Sequence, residues 1–543
     1  MVVGSRLCSL FSLDIFAWYN KKKLTFYYTH NPLFVKFGIL IYVNIIRSPP
    51  PGIEIQISLK SISGRYTMKN QNIYRNNNYA LKETLSNYKP EQLLYIPIEV
   101  GKFNHKASIV NFFGDIVVKL FEFPNKKHGL DFFVKKLNFA TTSSNAQKIF
   151  LGCESCGHYH LNLVHHLKQL NFPIEIINPR DTRKENPNKN SKTDNIDLGA
   201  IARVLISNKG GRQIVPEGVY YNLQRAARTR RKFVQRKTSS KNIITGLLDR
   251  IFPGLWDKDA PIFSDRWGKA SMLLLERYPH PHRIIRLGEQ RLARFLRKNN
   301  TKLGDETAHK IIDAAKDSLT KPLSELHMDI FALKSHIKCL NLYNETIAQL
   351  EQEIACLLVQ TPGIYLLSID GISVIFAGEF TAEVGDINRF AYANQIISFA
   401  GSCSKVFESA EYQAQGLHIS GRGSKFLRST LNQVALALNA WCEPFHLYYT
   451  NKALQKPDKP GIARIATGNK FVKLAFALMK YEQLYKPRGL LLDEKNYYSN
   501  LWSKIIRKLS GFNLTNISQE NNYLLKIKKY LEEKYALTLS TKL

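Results

Sequence analysis

Apolar and polar residues alternate in a regular way from residue 93 onward, and this pattern predicts an α/β region. Short apolar runs that are rich in β-branched and aromatic residues have the length of strands. Runs with an apolar residue every three to four positions predict amphipathic helices. The predicted elements are strands at 93–100, 106–113 and 115–123, a helix at 129–139, a strand at 148–154, a helix at 160–170, a strand at 173–179, a basic polar loop at 180–191 and a helix that begins at Asp194.

The order of these elements predicts the fold. Three strands in a meander, followed by alternating helices and strands, favour a mixed sheet with helices on its faces. This is the ribonuclease-H-like arrangement, and we assign it to residues 91–212. We interpret residues 1–90, which end in a segment rich in Asn, Lys, Tyr and Ser, as a poorly defined extension of low functional content.

The rest of the chain predicts a mostly α-helical architecture. Residues 213–360 contain apolar positions at alternating spacings of three and four, which favour a long coiled-coil helix that acts as a spacer and dimerisation arm. An intramolecular helical hairpin is the alternative. Residues 361–485 form the predicted C-terminal domain. In it, a helix, a glycine turn and a second helix at 368–401 resemble a helix-hairpin-helix, whose turn offers N–H groups to a phosphate. Residues 486–543 are a Lys-rich tail.

Four acidic residues lie at the ends of elements in the first domain. Glu99 lies near the end of the first strand, Glu154 closes the fourth strand, and Asp194 and Asp197 share one face of a helical first turn. If these ends converge on one edge of the sheet, the four carboxylates repel one another unless cations neutralise them. Two Mg²⁺ ions would do so, and would clamp the attacking and leaving oxygens of a phosphodiester.

Each acidic residue also has an ordinary interpretation. Glu99 and Glu154 could be surface residues at strand ends, and the two aspartates could cap a helix and compensate its dipole. Their joint placement favours the metal site.

The charge balance narrows the class of partner. Lys and Arg number 77 against 44 Asp and Glu, a formal net charge of +33. This surplus implies a polyanionic partner, most simply nucleic acid, with a membrane surface as the weaker alternative. Seven cysteines in 543 residues do not form a disulfide framework and fit an intracellular protein. The pair Cys153 and Cys156 has no second pair to complete a zinc site.

The basic residues concentrate in two stretches. The predicted helix at 220–253 carries a dense basic face, and the loop before a helix that begins near Lys425 combines basic side chains with Gly and Ser. Both suit contact with a nucleic-acid backbone, although a solvated surface is the alternative for the helix. The candidate nucleic-acid-binding residues are Lys102, Arg225, Arg228, Arg231, Lys232, Arg236, Lys241, Arg422, Lys425 and Arg428.

Four motifs in the first domain carry a family resemblance. They are IEVGK (98–102), CESCGHYH (153–160), INPR (177–180) and KTDNIDLGAIA (192–202). They resemble the acidic domain of the DEDD insertion-sequence transposases, the "IS one-ten" family, whose pattern runs Asp-Val-x-Lys, Glu-x-x-Gly-x-Tyr, Asn-Pro and Lys-Thr-Asp-x-x-Asp. Glu99 stands where that pattern has its first Asp, and the extra methylene moves the carboxylate by about 1.5 Å, a bond length.

The C-terminal domain extends the resemblance. The family has a Ser-Gly pair followed by Gly-x-Ile-Ser-Lys-x-Gly-Asn-x-x-Leu-Arg, and this chain has Ser409-Ala410 followed by a similar run from Gly416 to Arg428. The resemblance implies that Ser409 is the nucleophile that attacks DNA, and that Mg²⁺ bound by the four acidic residues assists it. It also implies a DNA recombinase of a bacterial mobile element, located in the cytoplasm near the nucleoid. The implied partners are the element ends and target DNA, a structured guide RNA, and other copies of the chain in a dimer or tetramer.

Two alternatives to a recombinase remain open. One is a metal-dependent, junction-resolving nuclease, in which the four acidic residues hydrolyse DNA and Ser409 has no role. The other is a catalytically decayed copy that retains nucleic-acid binding, which Glu99 and Ala410 favour because both depart from the family pattern.

Overall fold

The structure is a computed structural model of the 543-residue chain. It describes residues 77–186, 193–208, 212–299, 303–404, 418–487, 493–514 and 522–539, together with the backbone of four short strands at 16–20, 23–27, 408–409 and 412–413. The chain divides into two units, residues 1–212 and 213–543. Most of the extension predicted at 1–90 lies outside the described residues.

The first unit contains the predicted α/β region. Its elements are β1 (Phe16–Asn20), β2 (Lys23–Tyr27), α1 (Asn77–Asn87), β3 (Leu93–Glu99), β4 (Asn104–Asn111), β5 (Ile116–Pro124), α2 (Lys127–Ser143), β6 (Lys148–Glu154), α3 (His160–Gln169), β7 (Ile174–Ile177), α4 (Pro179–Glu185), α5 (Asp194–Ile206) and the two-residue strand β8 (Arg212–Gln213).

One mixed sheet organises this unit. Its strand order is β5-β4-β3-β6-β7, with β8 following at the β7 edge. Strands β3, β4 and β5 form an antiparallel meander, whereas β6 and β7 continue the sheet parallel to β3. Strand β3 is buried along almost its whole length, as expected for a central strand that is covered on both faces. The predicted ribonuclease-H-like fold is confirmed.

Helix α5 packs closely over the centre of the sheet. A Cβ atom added at Gly152 of β6 would lie 2.6 Å from the side chain of Leu205, so any larger residue would force that leucine to shift. Leu205 and Ile201 of α5 share a buried cluster with Leu93 of β3. This packing fixes the position of the first turn of α5, and therefore of Asp194, relative to the strand ends.

The short helix α4 lies where the sequence predicted a loop, so that prediction was wrong for residues 180–185. The side chain of Asn178 accepts a hydrogen bond from the backbone N–H of Arg180 at 3.0 Å, which caps the helix. Pro179 follows at the first helical position, where its missing N–H costs nothing and its fixed φ suits a helix.

The second unit is mostly helical, as predicted. Its elements are α6 (Gly218–Ile251), α7 (Lys269–Arg277), α8 (Pro281–Leu287), α9 (Glu289–Asn299), α10 (Asp305–Asp317), α11 (His327–Val359), a 3-10 helix (Pro362–Ser368), α12 (Val374–Val384), a second 3-10 helix (Ile387–Arg389), α13 (Ala393–Ala400), β9 (Glu408–Ser409), β10 (Tyr412–Gln413), α14 (Lys425–Trp441), α15 (Glu443–Gln455), α16 (Pro460–Lys480), α17 (Glu494–Leu509) and α18 (Tyr523–Tyr535).

The face predicted to form a coiled coil is buried within the chain. Helices α6 and α11, of 34 and 33 residues, pack against each other. Leu333 and Ile337 of α11 belong to one buried cluster with Ile244 and Leu248 of α6. This arrangement supports the intramolecular alternative for that face, and a role of α11 in dimerisation stays a prediction.

The Lys-rich C-terminal segment contributes to the largest core. Trp502 and Ile505 of α17 and Leu531 of α18 are buried in the same cluster as Phe380 of α12 and Phe471 of α16. The segment is therefore structural as well as basic. Within the described residues, no helix has both the length and the apolar character needed to cross a bilayer.

Candidate active site and nucleic-acid interface

Two of the predicted acidic residues end neighbouring parallel strands. Glu99 is the last residue of β3 and Glu154 is the last residue of β6. The register pairs Ile98 with Cys153, so the next residue on each strand is the glutamate. Because residues in register project from the same face of a sheet, both half-buried carboxylates lie at one edge.

The start of α5 brings a third acidic residue to this edge. The side chain of Thr193 accepts a hydrogen bond from the backbone N–H of Ile196 and caps the helix, so Asp194 lies in its first turn. The carboxylate of Asp194 forms an ion pair with the amine of Lys106 on β4. Lys106 is in turn the cross-strand partner of Glu99. Lys106 is thus related to Glu99 by backbone pairing and to Asp194 by an ion pair. Asp197 lies half-buried in the same first turn of α5 as Asp194.

A buried threonine orients Glu154. The hydroxyl oxygen of Thr182 lies 3.1 Å from Glu154 Oε2 and 3.1 Å from the carbonyl oxygen of Pro179, and its one proton is shared between these two acceptors. Thr182 is 4% exposed and belongs to α4. The sequence pattern predicts a loop here, so it gives no sign of this contact. The signal that could have found it is Asn178-Pro179, which favours the start of a helix.

Lys106 is the second contact that sequence analysis missed. Its amine lies 3.5 Å from Oε1 of Glu122, its cross-strand partner on β5, as well as beside Asp194. The hydrogen bond to Asp194, with the negative charges of Asp194 and Glu122, outweighs desolvation and raises the pKa of Lys106. The amine therefore stays charged at neutral pH. A lone lysine on a strand gives no signal in a sequence, and only the antiparallel register reveals its neighbours.

The donor chemistry of this edge fits Mg²⁺, but the arrangement of the side chains does not. Mg²⁺ prefers carboxylate oxygens in near-ideal octahedral geometry. Within the residues that the structure describes, no three His, Cys, Asp or Glu side chains lie close enough together to hold a metal ion. The cation beside Asp194 is instead the amine of Lys106. The acidic residues share one edge without forming a metal cage.

Two of the candidate nucleic-acid-binding residues on α6 have protein partners. Arg228 donates to both carboxylate oxygens of Glu383, at 2.7 and 3.0 Å. Arg231 donates to Glu379 at 2.5 Å and to the carbonyl oxygen of Phe426 at 3.0 Å. Both glutamates belong to α12 and are 5% exposed. These contacts hold α6 against α12, and a role of either arginine in binding nucleic acid stays a prediction.

Other candidate cations on α6 face solvent. Arg225, Lys232 and Arg236 are exposed. The amine of Lys241 lies 4.5 Å from the centre of the Trp267 ring, and burial, with neighbouring positive charge, lowers its pKa. The exposed side chains of this helix can contact a phosphate backbone without breaking an ion pair recorded in the structure.

The basic loop before α14 and the first turn of α14 also contain both exposed cations and cations with protein partners. Arg422 and Lys425 are exposed, as is Lys102 in the first unit. Arg428 instead donates to the carbonyl oxygen of Ala400 at 2.8 Å, which ties α14 to the end of α13. Ser424 caps α14 and donates to Glu383 at 2.7 Å.

The predicted nucleophile lies in a short hairpin of the second unit. Ser409 ends β9, and its backbone pairs with Tyr412 of β10 in antiparallel register. The side chain of Ser409 lies outside the described residues, and its role stays a prediction.

The sheet, its acidic edge and the helical second unit define a ribonuclease-H-like protein with a helical partner domain. A family model for the DEDD domain of IS110-type elements, described as a transposase, matches residues 96–253. A second model, described as the transposase IS116/IS110/IS902 family, matches residues 364–450. No curated protein is significantly similar to the chain.

Both matched regions are similar to IS110-family transposases, and the resemblance seen in the sequence is confirmed. The matches support action on DNA as a transposase or recombinase, and use of a divalent metal in general. The first match includes all four predicted acidic residues, and the second includes Ser409.

Proposed function

We propose that this transposase exchanges DNA strands through a serine nucleophile in the second unit and an acidic, magnesium-binding edge in the first. The proposal is supported by two observations: Glu99 and Glu154 end neighbouring parallel strands, and Asp194, at the start of α5, forms an ion pair with Lys106, the cross-strand partner of Glu99. Carboxylates that are brought together in a basic protein are suited to binding a cation next to a phosphodiester.

Ser409 performs the covalent step in this proposal. Its hydroxyl oxygen attacks a DNA phosphorus, and the bond between that phosphorus and one deoxyribose oxygen breaks. The hydroxyl proton passes to the departing sugar oxygen, so the step involves no oxidation and consumes no water. One phosphodiester is exchanged for another. The hydroxyl of a second DNA end can then attack the serine-linked phosphorus, which transfers the DNA to that end and releases the serine.

The acidic residues would hold the metal ion that neutralises the charge of the scissile phosphate. Mg²⁺, when bound, would supply positive charge to the scissile phosphate. Glu154 is held in place by Thr182, and Asp194 is held by the first turn of α5. We propose Glu99 and Asp197 as the remaining ligands. Glu99 performs with a longer side chain the role that the family pattern gives to Asp.

The exposed cations supply affinity for the polynucleotide. Arg225, Lys232 and Arg236 on α6, together with Arg422 and Lys425, contact phosphates without regard to sequence. We propose that a structured RNA selects the DNA by base pairing, and that the protein recognises RNA shape and DNA backbone. We further propose that the protein acts as a homo-oligomer.

A covalent-adduct assay tests this function. Full-length protein is incubated with labelled element ends, Mg²⁺ and the RNA that co-purifies with it, and protein-linked DNA is measured on denaturing gels. The wild type should form an adduct that Ser409→Ala abolishes and that the neighbouring control Ser404→Ala retains. If Ser409→Ala still cuts the DNA, the protein is a nuclease and the serine proposal is wrong.

A further inference from the structure

Two neighbouring grooves lie along α11 in the second unit. The first, which we call the lysine groove, lies between α6 and α11 and has a volume of about 420 Å³. Its polar lining residues are Arg230, Lys237, Thr238, Lys241, Asn344 and Glu351. The second, which we call the tryptophan groove, lies between α7 and α11 and has a volume of about 390 Å³. Its lining includes Trp267, Lys269, Met272, Glu276, Asn341 and Asn344.

The lysine groove presents two amines that no carboxylate neutralises. Arg230, by contrast, forms ion pairs with Glu351 at 2.6 Å and with Glu379 at 3.2 Å, so its charge is already balanced. Lys237 and Lys241 lie one turn apart on α6, are half-buried, and form no ion pair with any carboxylate that the structure describes. Burial, with the positive charge of Lys237, lowers the pKa of Lys241. A phosphate beside both amines would offset their repulsion.

The tryptophan groove combines an aromatic ring with amide groups. The Trp267 ring lies in a T-shaped arrangement with Trp256, with 4.8 Å between the ring centres, and Lys241 Nζ lies 4.5 Å from the Trp267 ring centre. Trp267 therefore links the two grooves. Asn341 and Asn344 are exposed on α11 and line the same groove. Unpaired nucleobases stack on aromatic rings, and their polar edges pair with amides, which both donate and accept, so this lining suits a nucleobase.

The lysine groove lies on the opposite side of α6 from the exposed cations proposed above. At 3.6 residues per turn, Lys237 and Lys241 share one face of the helix, and Lys232 and Arg236 project about half a turn away. A backbone that is held by Lys232 and Arg236 therefore does not fill the groove. A base that is paired and stacked in a duplex cannot enter a protein groove without leaving the stack. The chemistry of the two grooves thus fits a nucleotide of an unpaired strand.

We propose that the two grooves together bind an unpaired nucleotide of a single-stranded nucleic acid, with its phosphate beside Lys237 and Lys241 and its base against Trp267. The inference rests on the proposed function only in assuming a polynucleotide partner, and it involves neither Ser409 nor the acidic residues. It adds recognition of an unpaired strand, which exposed cations that contact any backbone do not supply. RNA and DNA share this chemistry, and the test distinguishes them.

Fluorescence anisotropy with the full-length protein measures the contribution of the base. The labelled ligands are an oligouridylate, an oligodeoxythymidylate and an abasic strand of the same length. The wild type should bind at least one of the base-bearing strands about fivefold or more tighter than the abasic strand, because aromatic stacking adds to the affinity for a base. Trp267→Leu should reduce that ratio below about twofold. The matched control Trp441→Leu changes a tryptophan that is 75% exposed on α14, and it should keep the ratio of the wild type.

The salt dependence of single-strand binding measures the contribution of the phosphate. Lys237→Gln should make the slope of log affinity against log salt about 0.7 less negative, because one phosphate contact to a single strand is lost. Lys338→Gln is the control. It removes the same charge from an exposed position of α11 that lines neither groove, and it should leave the slope unchanged.

Photochemical cross-linking locates the base directly. A single strand that carries 5-iodouracil is irradiated in complex with the full-length protein, and mass spectrometry identifies the linked residue. The inference predicts a link to Trp267 that excess unlabelled single strand prevents. Links that map only to other parts of the chain would overturn it.

A second variant keeps the test decisive if circular dichroism shows that Trp267→Leu does not fold. Asn344 is exposed and lines both grooves, so Asn344→Glu places a negative charge where the phosphate would lie. It should weaken single-strand binding more than Gln349→Glu, which adds the same charge at an exposed position of α11 outside the grooves. Equal effects of the two variants would overturn the inference.

The outcomes also separate this inference from the proposed function. If the wild type binds the base-bearing and abasic strands equally, the inference is wrong, whether or not Ser409 forms an adduct with DNA. If the grooves bind as predicted and no adduct forms, the inference stands and the proposed function fails. Tighter binding of the oligouridylate would identify RNA as the source of the nucleotide, and tighter binding of the oligodeoxythymidylate would identify DNA.

Discussion

The ion pairs between α6 and α12 should stabilise the second unit, and Glu379→Gln tests this. Glu379 accepts from Arg231 at 2.5 Å, from Arg230 at 3.2 Å and from the hydroxyl of Thr430 at 3.1 Å. Its side chain is 6% exposed, and that of Arg231 is 16% exposed. Removing one partner of a buried ion pair costs about 3–5 kcal/mol because the other charge remains buried.

The stability lost in Glu379→Gln should fall at the low end of that range. Arg230 keeps Glu351, at 2.6 Å, after the change. Arg231 keeps the carbonyl oxygen of Phe426 and the Thr430 hydroxyl, but no carboxylate recorded in the structure. We therefore expect a loss of about 3 kcal/mol, mostly from the desolvated charge of Arg231.

Hydrogen exchange in the full-length protein measures this loss locally. The free energy of the opening that lets amides of α12 exchange should be about 3 kcal/mol lower in the variant than in the wild type. Lys232→Gln is the matched control, since Lys232 is exposed on the same helix as Arg231 and its replacement should change stability by no more than about 0.5 kcal/mol. A loss below about 1 kcal/mol in Glu379→Gln, or an equal loss in the control, would refute this account of the arginines.

Three further results follow from the structure. Lys232→Ala and Arg236→Ala should each weaken the salt dependence of binding to duplex DNA. The slope of log affinity against log salt, measured by fluorescence anisotropy, should become about 0.9 less negative in each variant. Unchanged slopes would exclude these residues from the interface. Gly371→Ala should lower the melting temperature measurably, because Gly371 has φ +84° and an added Cβ would lie 2.8 Å from the carbonyl oxygen of Ala437; a variant as stable as the wild type would contradict this. Burial lowers the pKa of His105, which is 1% exposed, so the unfolded chain binds the proton more readily and stability should fall as pH drops below about 6.5. Urea unfolding at pH 7.5 and 5.5 should show a smaller fall for His105→Phe, and identical falls would contradict the assignment.

Much of the first unit could be predicted because its elements have strong periodic patterns. Strands β3, β6 and β7 are apolar runs bounded by turn-forming residues, and their order determines the sheet. That sheet and the start of α5 are also the basis for predicting that Glu99, Glu154 and Asp194 share one edge; the positions of Glu99 and Glu154 at the ends of β3 and β6 agree with this prediction. Helix α4 was missed because its residues are polar and basic, and only the cap at Asn178 and the proline after it indicate a helix.

The contacts around the acidic edge could not be predicted because they depend on strand register. Lys106 has no periodic relation to the acidic residues along the chain, and it meets Glu99 and Glu122 only through antiparallel pairing. The protein partners of Arg228 and Arg231 could not be predicted for a similar reason. In the sequence they are part of a basic helix face, and their buried partners on α12 lie 155 and 148 residues away.

The central claim is that the ends of β3 and β6 and the start of α5 form one cation-binding edge, and metal-directed cleavage of the backbone tests it most directly. Fe²⁺ replaces Mg²⁺ in the full-length protein, ascorbate and peroxide generate hydroxyl radicals at the bound ion, and mass spectrometry maps the cuts. The account predicts cuts near Glu99, Glu154 and Asp194 together, all suppressed by excess Mg²⁺. Cuts near only one of these residues, or cuts that excess Mg²⁺ leaves unchanged, would contradict it.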